Sequence, residues 1–526
     1  MASLTKTIRN FYRDSVALMQ LSSGLAKLQG VRQASAVMAS ESNLALLREA
    51  GLLAGEVDAG PNDLLIALEG EDEAALAAAE AEAEQALERK PAGIQGGGLR
   101  REQPRSLEMG LEAMPLANFA LISCPGDYAA AEAMKALRLG LHVMLFSDNV
   151  AIEDEIALKL YARAHDLMVM GPDCGTAIIG GIPLGFANLT RRGDIGVVAA
   201  SGTGLQQVTC LIDRLGCGIS QAIGAGGHDL SRDVGGVTFL QGLKALTDDA
   251  DTRVIVLISK PPAPEVAAAV IDVARKSGKP VVVNFLGAEP NFVTGTNLTP
   301  ARTLEDAALV AAALSRGEAR DRLAVASPTF ESPVLAPGQS YIRGLYSGGT
   351  FCYEASLLLG ESLPEVFSNT PVGSAKALDD VWKSRGHTLI DLGDDVFTRG
   401  RPHPMIDHRL RNERIAKEAR DPKTAAILLD VVIGYGAHAD PASEIAPVVR
   451  EAASEALTSG RRLTVVGFVC GTAADPQSLA AQEAKLREAG VVLAQSNAQA
   501  VRIAARIAKG ALNENLESAK RRNGSR

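Results

Sequence analysis

Two glycine-containing turns have the residue types and spacing that suit the binding of an anion. The first, between the apolar run GVVAA and the helix-like segment LQQVTCLIDRLG, comprises Ser201, Gly202, Thr203 and Gly204. The second, between IRGLY and FCYEASLLL, comprises Ser347, Gly348, Gly349 and Thr350. Such turns point backbone amides inward, and the helix that follows adds the positive end of its dipole. Each turn alone is equally typical of an ordinary strand-to-helix connection, but two at equivalent places favour a phosphate site.

Two more strand-end residues could act beside a bound anion. Lys260 ends the run RVIVLIS and precedes two prolines, where a cation would pair with an anion. His228 lies in the loop GGHDLSRD, which would follow a strand at the edge where α/β sites lie. An ordinary surface lysine and a solvated loop are the alternative interpretations.

The densest group of ionisable residues is DLGDDVFTRGRPHPMIDHRLR, at 391–411. Within it, Arg399 and Arg401 would clamp a carboxylate or phosphate, and His403 would move a proton near neutral pH. The spacing of His and Asp matches no standard metal motif, so no metal site is predicted. A salt-bridged structural loop is the alternative.

The elements that must position these residues follow from short apolar runs that alternate with helix-like segments from 119 onward. Runs such as RVIVLIS and PVVVNFLG are typical of strands buried on both faces, so the sequence predicts an α/β fold with parallel sheets. Stretches rich in Gly, Pro or Ser separate the domains at 91–105 and 327–340. The predicted domains are a small α+β domain at 1–90 and three βα domains at 116–190, 191–320 and 341–510.

Composition excludes several classes of protein. The 526 residues carry 53 Lys and Arg against 62 Asp and Glu, a net charge of −9. A nucleic-acid binder or an anionic-membrane binder would show a basic excess. Six cysteines without a CxxC pair are typical of a reducing compartment, and we expect a cytoplasmic protein. No apolar run approaches the roughly 18 residues of a membrane span, and the first residues do not resemble a signal peptide.

Several motifs together carry a resemblance that covers nearly the whole chain: SDNVAIEDEIALKLYARAHDLMVMGPDCGT, GDIGVVAASGTG, AIGAGGHDLSRDVGG, SKPP, DLGDDVFTRGRPHPMID and LLDVVIGYGAHADP. The sequence resembles the FdrA family, which is similar to succinyl-CoA synthetase. Residues 116–320 resemble its alpha subunit, a Rossmann-like CoA-binding-type domain followed by a flavodoxin-like ligase-type domain. Residues 341–510 resemble the flavodoxin-like ligase domain of its beta subunit. The resemblance implies that two helix N-termini, beginning at Ser201 and Ser347, face one phosphate.

The sequence departs from the succinyl-CoA synthetases in three respects. Such synthetases carry a phosphorylated histidine after the strand that here reads PVVVNFLG, but this chain continues AEPNFVTGTNLTP. Lys260 stands where the synthetase has a glutamate. No ATP-grasp domain is evident. We therefore expect a phosphate cradle without the phosphohistidine relay.

The resemblance implies three functions. The first is transfer of a carbamoyl or acyl phosphate, as in the oxamate carbamoyltransferase of purine (allantoin) breakdown, which converts oxalurate and phosphate into oxamate and carbamoyl phosphate. Lys260, Arg399 and Arg401 would bind the anionic substrates, and His403 or His228 would transfer protons. The resemblance assigns no cofactor to this function. We expect the chain to assemble with copies of itself or with partner subunits. The second is an NDP-forming acyl-CoA synthetase that uses CoA, ATP and Mg with an ATP-grasp partner. The third is a non-catalytic anion-binding subunit.

Overall fold

A computed structural model describes residues 2–53, 55, 57–88, 104–289, 292–319, 323, 328, 330–398 and 401–523. The chain divides into two compact units. The first unit comprises Met1–Cys174 and Asp395–Asp407, and the second comprises Gly175–Asp394 and His408–Arg526. Across the described residues, every helix is too short or too polar to cross a bilayer.

The N-terminal part of the first unit is an antiparallel sheet covered by helices, with strand order β1-β3-β2. Its elements are β1 (Ala2–Ile8), α1 (Ser15–Leu25), β2 (Val31–Met38), α2 (Glu41–Glu49), β3 (Leu64–Gly70) and α3 (Glu73–Glu88). Side chains of a strand alternate between faces. Leu64 and Ile66 of the central strand accordingly join one apolar core, and Leu65 and Ala67 join another on the opposite face. These elements form the small α+β domain that the sequence predicts.

The remainder of the first unit holds three parallel strands in the order β4-β5-β6. Its elements are α4 (Leu107–Ala113), β4 (Phe119–Ile122), α5 (Gly126–Arg138), β5 (His142–Leu145), α6 (Ile152–Ala164), β6 (Val169–Met170) and α12 (Asp395–Thr398). Small alanines of α5 allow close packing on the sheet, since Ala129, Ala133 and Ala136 are fully buried. These three strands lie within 116–190, where the sequence predicts a Rossmann-like domain.

The first sheet of the second unit has the order β13-β12-β11-β9-β10-β7-β8. Its elements are β7 (Thr176–Ile179), β8 (Ile182–Gly185), β9 (Arg192–Ala200), α7 (Gly202–Arg214), β10 (Ile219–Gly224), α8 (Val237–Asp248), β11 (Val254–Ser259), α9 (Pro264–Lys276), β12 (Val281–Phe285), β13 (Leu298–Pro300) and α10 (Leu304–Arg316). Strands β9 to β13 are parallel, whereas β7 and β8 form an antiparallel hairpin at the edge. The predicted boundary at 190 therefore differs from the strand pairing, because residues 176–185 extend this sheet rather than the preceding one.

The second sheet of this unit is parallel throughout, in the order β16-β15-β17-β14-β18-β19-β20. Its elements are β14 (Tyr341–Tyr346), α11 (Gly349–Gly360), β15 (Val366–Ser368), β16 (Lys376–Ala377), β17 (His387–Asp391), α13 (Arg409–Arg420), β18 (Thr424–Val432), α14 (Pro441–Thr458), β19 (Thr464–Cys470), α15 (Leu479–Glu488), β20 (Val492–Ala494) and α16 (Asn497–Asn523). The predicted α/β class with parallel sheets is confirmed. Ser201 follows the central strand β9 and Ser347 follows the central strand β14, so each turn lies at a carboxyl edge.

Candidate functional site

The two predicted turns meet inside the second unit. Ser201 caps α7, since its Oγ accepts a hydrogen bond of 3.0 Å from the Gly204 amide. The same oxygen lies 2.7 Å from Oγ1 of Thr350, in the first turn of α11. A Cβ added to Gly348 would lie 3.0 Å from Cγ2 of Thr203. The N-termini of α7 and α11 are therefore in contact, and we call this place the anion junction.

Backbone amides of both helices are available at the anion junction. The first N–H groups of an α-helix have no carbonyl acceptor within their own helix. In α7 this applies to Gly202 and Thr203, and in α11 to Gly349 and Thr350. Together with the two helix dipoles, these amides favour a negative charge at the junction.

A buried carboxylate already occupies part of the α11 start. Asp430 accepts hydrogen bonds from the Ser347 amide at 2.7 Å, the Ser347 hydroxyl at 2.6 Å and the Gly348 amide at 3.0 Å. Both Ser347 and Asp430 are buried. Ser347 and Gly348 thus hold the turn in place, which leaves Gly349 and Thr350 as the first-turn amides of α11 for a ligand.

Arg411 balances the charge of Asp430 from α13. Its Nη1 donates to the Asp430 carboxylate at 3.1 Å and to the Asp430 carbonyl at 2.6 Å. Its Nη2 lies 3.1 Å from Nδ1 of the buried His408. Burial lowers the pKa of Arg411, while the charge of Asp430 acts in the opposite direction. Arg411 therefore stabilises Asp430, which in turn holds the Ser347 turn.

A second carboxylate, Asp391, also lies at the start of α11. It ends β17 and pairs in register with Tyr346, the last residue of the neighbouring β14. Its Oδ1 accepts a 2.9 Å hydrogen bond from the Gly393 amide. Its Oδ2 is 2.6 Å from where a Cβ on Gly349 would be, so glycine makes room for the carboxylate. Burial raises the pKa of Asp391 to about 7, against the lowering effects of Gly393 and of the Lys260 charge.

Lys260 brings a cation to this region, as expected from its position after β11. Its Nζ lies 5.5 Å from the ring centroid of Tyr353 on α11, within the range of a cation–π interaction. Its charge acts on the buried carboxyl of Asp391 and the buried thiol of Cys352. The residue itself is exposed. It therefore reaches from the first sheet of the unit to the helix that begins at the second.

His228 is exposed on the loop before α8. The adjacent Asp229 is fully buried and accepts hydrogen bonds from the amides of Thr238 at 3.2 Å and Phe239 at 2.8 Å. Asp229 thus secures the start of α8, which gives the loop a structural role. The proton-transfer role of His228 stays a prediction.

The other predicted residues lie in the first unit or outside the described residues. Arg401 and His403 belong to the segment Asp395–Asp407 of the first unit. There the His403 carbonyl accepts from the amide of Asp407 at 3.0 Å, and its Nδ1 from that of Met405 at 3.2 Å. The catalytic roles of Arg401 and His403 stay predictions. Arg399 lies outside the described residues.

Three family models match the chain. A CoA-ligase model matches residues 345–507, and a CoA binding domain model matches residues 190–287. The latter contains Ser201 and Lys260, whereas the sequence suggested a CoA-binding-type domain at 116–190. An "AllF, heavy metal-associated domain" model matches residues 1–104.

The N-terminal residues do not fit a heavy metal. Residues 1–104 contain neither Cys nor His, the residues that supply thiolate and imidazole ligands to metal sites. Across the described chain, no group of three or more His, Cys, Asp or Glu side chains is placed to hold an ion. CoA is a different case, because the α7 amides and Lys260 are groups that hold phosphate oxygens.

Comparison with known proteins gives one long match and several partial ones. YahF of Escherichia coli K12, described as uncharacterized, is 43% identical over 496 residues, which cover 93% of this chain and 95% of YahF. Succinate–CoA ligase [ADP-forming] subunit alpha 2 of Archaeoglobus fulgidus is 29% identical over 202 residues, 37% of this chain and 64% of that subunit. The malate–CoA ligase subunit alpha of Methylorubrum extorquens is 26% identical over 197 residues, 35% of this chain and 62% of that subunit. With its CoA-binding and CoA-ligase domains, the chain therefore belongs to the succinyl-CoA synthetase-like FdrA/YahF family.

Proposed function

We propose that this chain is an enzyme of the acyl-CoA synthetase type that transfers an acyl group between phosphate and the thiol of CoA. The carbonyl carbon exchanges its bond to a phosphate oxygen for a bond to sulfur, or the reverse. The observation that carries the proposal is the 2.7 Å contact between Ser201 and Thr350, which joins two helix N-termini at one place. The matches to a CoA binding domain and a CoA-ligase model support it.

In this proposal the anion junction binds the phosphate group. The first-turn amides of α7 and α11 donate to the phosphate oxygens, and the exposed Lys260 adds a positive charge. Such preorganised donors are most effective where negative charge develops during the reaction. Asp430 and Arg411 hold the Ser347 turn, so the α11 amides stay aimed at the same point. CoA, when bound, supplies the thiol nucleophile.

A second candidate is transfer of a carbamoyl group to an amide or amine nucleophile, as in oxamate carbamoyltransferase. Like the first candidate, it needs no phosphohistidine, and no histidine occurs between His228 and His387. The loop after β12 therefore cannot carry a phosphohistidine. A phosphate bound directly in the anion junction suits both candidate reactions. They differ in the nucleophile, which is the thiol of CoA in the first and an amide or amine in the second.

Phosphate release from acyl phosphates tests the proposal. Purified chain is incubated with acetyl phosphate or carbamoyl phosphate, each with CoA or with oxamate, in the presence and absence of its neighbouring gene products. We expect CoA-dependent phosphate release and formation of a thioester. Oxamate-dependent consumption of carbamoyl phosphate would favour the second candidate. Binding without turnover under every condition would contradict both and favour a non-catalytic subunit.

A matched pair of lysine variants tests whether the reaction takes place at the anion junction. Lys260→Glu places a negative charge beside the junction, and we expect it to abolish turnover. Lys276→Glu makes the same change at an exposed residue near the end of α9, which pairs only with Asp272 among the contacts described. We expect Lys276→Glu to leave turnover unchanged. Equal effects of both variants would place the reaction elsewhere.

A further inference from the structure

We propose that Asp391 is a catalytic residue of the anion junction, and that its carboxyl carries the proton between the incoming nucleophile and the departing phosphate. The inference deepens the proposed function and rests on it. It assigns a chemical role to a buried carboxyl at the start of α11, in addition to the groups that bind phosphate.

The backbone around Asp391 is fixed so that the carboxyl is held at the start of α11. Asn369 makes two hydrogen bonds to this residue: its Oδ1 accepts from the Asp391 amide at 2.9 Å, and its Nδ2 donates to the Asp391 carbonyl at 3.1 Å. The Gly393 amide orients Oδ1. Oδ2 is left directed at the first residue of α11, over the space that Gly349 keeps open. A phosphate held by the α11 amides would therefore be next to this oxygen.

The two carboxylates at the α11 start have different surroundings, and this difference assigns their roles. Asp430 receives three hydrogen bonds from the Ser347 turn and a guanidinium contact from Arg411. Its oxygens are fully engaged and it positions the turn. Among the described residues, the Gly393 amide donates a hydrogen bond to the Asp391 carboxylate. Asp391 is thus the carboxyl that can exchange a proton with a ligand.

The charged and ionisable groups around Asp391 come from four elements. They are Lys260 after β11, Cys352 on α11, Asp394 after β17 and Asp430 on β18. Burial raises the pKa of Asp391 to about 7, and the two neighbouring aspartates act in the same direction. Both protonation states are therefore populated near neutral pH, which is the condition for an efficient general acid–base group.

The proton balance of the step is complete. As the nucleophile forms its bond to the carbonyl carbon, the ionised Asp391 accepts the proton of the thiol or amide. As the bond between carbon and the phosphate oxygen breaks, Asp391 gives that proton to the leaving phosphate. No electrons are transferred to or from the protein, and the carboxyl returns to its starting state.

The first test compares Asp391→Asn with Asp379→Asn, a control at an exposed aspartate. We expect Asp391→Asn to lower kcat about 100-fold, as for loss of a general acid–base group. The KM for the acyl phosphate should stay the same or fall, since a negative charge is removed. The wild-type kcat should decrease as the pH falls below about 7, and this acid limb of the pH profile should be absent in Asp391→Asn. A limb that persists in the variant overturns the proposal.

Asp394→Asn provides a second variant that keeps Asp391 itself. The charge of Asp394 raises the pKa of Asp391, so its removal should move the acid limb to lower pH. An unchanged limb would count against Asp391. This variant keeps the proposal testable even where Asp391→Asn fails to fold.

Sulfate binding separates failure of this proposal from failure of the proposed function. Sulfate keeps its charge across pH 5–9, so any change in its affinity reports the protein. By calorimetry we expect wild-type affinity to fall as pH rises through 7, where Asp391 ionises beside the anion. Asp391→Asn should lack this fall. Binding with the same pH dependence in both proteins overturns the role of Asp391. Absence of sulfate binding in the wild type overturns the anion junction, and the role of Asp391 with it.

Discussion

The hydroxyl of Ser201 lies 2.7 Å from the hydroxyl of Thr350, so a hydrogen bond joins the first turns of two helices that follow different sheets. The positive ends of two helix dipoles repel each other when they face. The buried carboxylates of Asp391 and Asp430 at the α11 start offset part of this repulsion. A chain with a net charge of −9 can thus concentrate positive potential at one internal place.

Gly349→Ala tests the space beside Asp391. The added methyl would lie 2.6 Å from Oδ2, so the carboxyl must move. We expect kcat for acyl transfer to fall by up to about 100-fold, a loss that misplacement of a reacting group by about 1 Å can cause. Gly24→Ala is the control, because nothing lies within 4 Å of its added methyl. In helix α1 it should raise stability by roughly 0.5–1 kcal/mol and leave kcat unchanged.

Asp430→Asn tests the support of the Ser347 turn. The change leaves the buried Arg411 without its carboxylate, and removing one partner of a buried ion pair costs on the order of 3–5 kcal/mol. Urea unfolding measures this loss. Asp248→Asn is the matched control at the exposed pair with Lys244, where we expect a loss below about 1 kcal/mol. Equal losses would show that the Asp430 pair contributes no more than a surface pair.

No acid-labile phosphate should form on this chain. A phosphohistidine relay needs an imidazole between the two helix starts, and the loop after β12 contains none. Incubation with labelled ATP, or with succinyl-CoA and labelled phosphate, should leave the protein unlabelled after acid treatment. Label that appears and is lost in His228→Ala would instead identify His228 as the phosphate carrier and restore an ATP-linked synthetase.

Glu354 makes stability depend on pH. It is fully buried on α11, where it accepts from the Leu304 amide at 2.8 Å and from Asn497 Nδ2 at 2.8 Å. Burial raises its pKa from 4.5 to about 7. Between these values the folded chain binds more protons than the unfolded chain, so stability falls as pH rises through the window. At about 1.4 kcal/mol per pH unit, the loss is up to about 3 kcal/mol.

Unfolding in urea at pH 5 and pH 8 measures this dependence. Asp391 contributes a fall of the same sign over its own window, from 3.8 to about 7. The wild type should therefore lose stability across the interval, and Glu354→Gln should lose less. A variant with the wild-type dependence would contradict the assignment to Glu354.

The sequence predicts the parts of the site that depend on local structure. The turns at Ser201 and Ser347 follow apolar strands and precede helices, so their positions could be predicted from the sequence. The role of Asp430 could not, because it depends on which strand pairs with β14. Asp430 sits inside an apolar strand with no local sign of its partners, Ser347 and Arg411.

The cluster at 391–411 is a second case in which the sequence does not predict which residues lie together. Proximity in sequence groups Asp391 with Arg401 and His403, but the two compact units of the fold divide between Asp394 and Asp395. The hairpin of β7 and β8 is a further case. Its residues precede the predicted boundary at 190, yet β7 pairs with β10. Contacts between residues that are far apart in the sequence decide both cases, and spacing along the chain does not specify them.

The two helices of the anion junction belong to one covalent chain. The Archaeoglobus relative, which matches 37% of this chain, is named as a subunit. Here the encounter of α7 with α11 is a unimolecular step, and its equilibrium does not depend on protein concentration. Dilution cannot separate the two halves of the phosphate site, and unequal synthesis cannot leave one half without the other. The chain thus keeps a fixed one-to-one stoichiometry between the two helix starts at any level of expression.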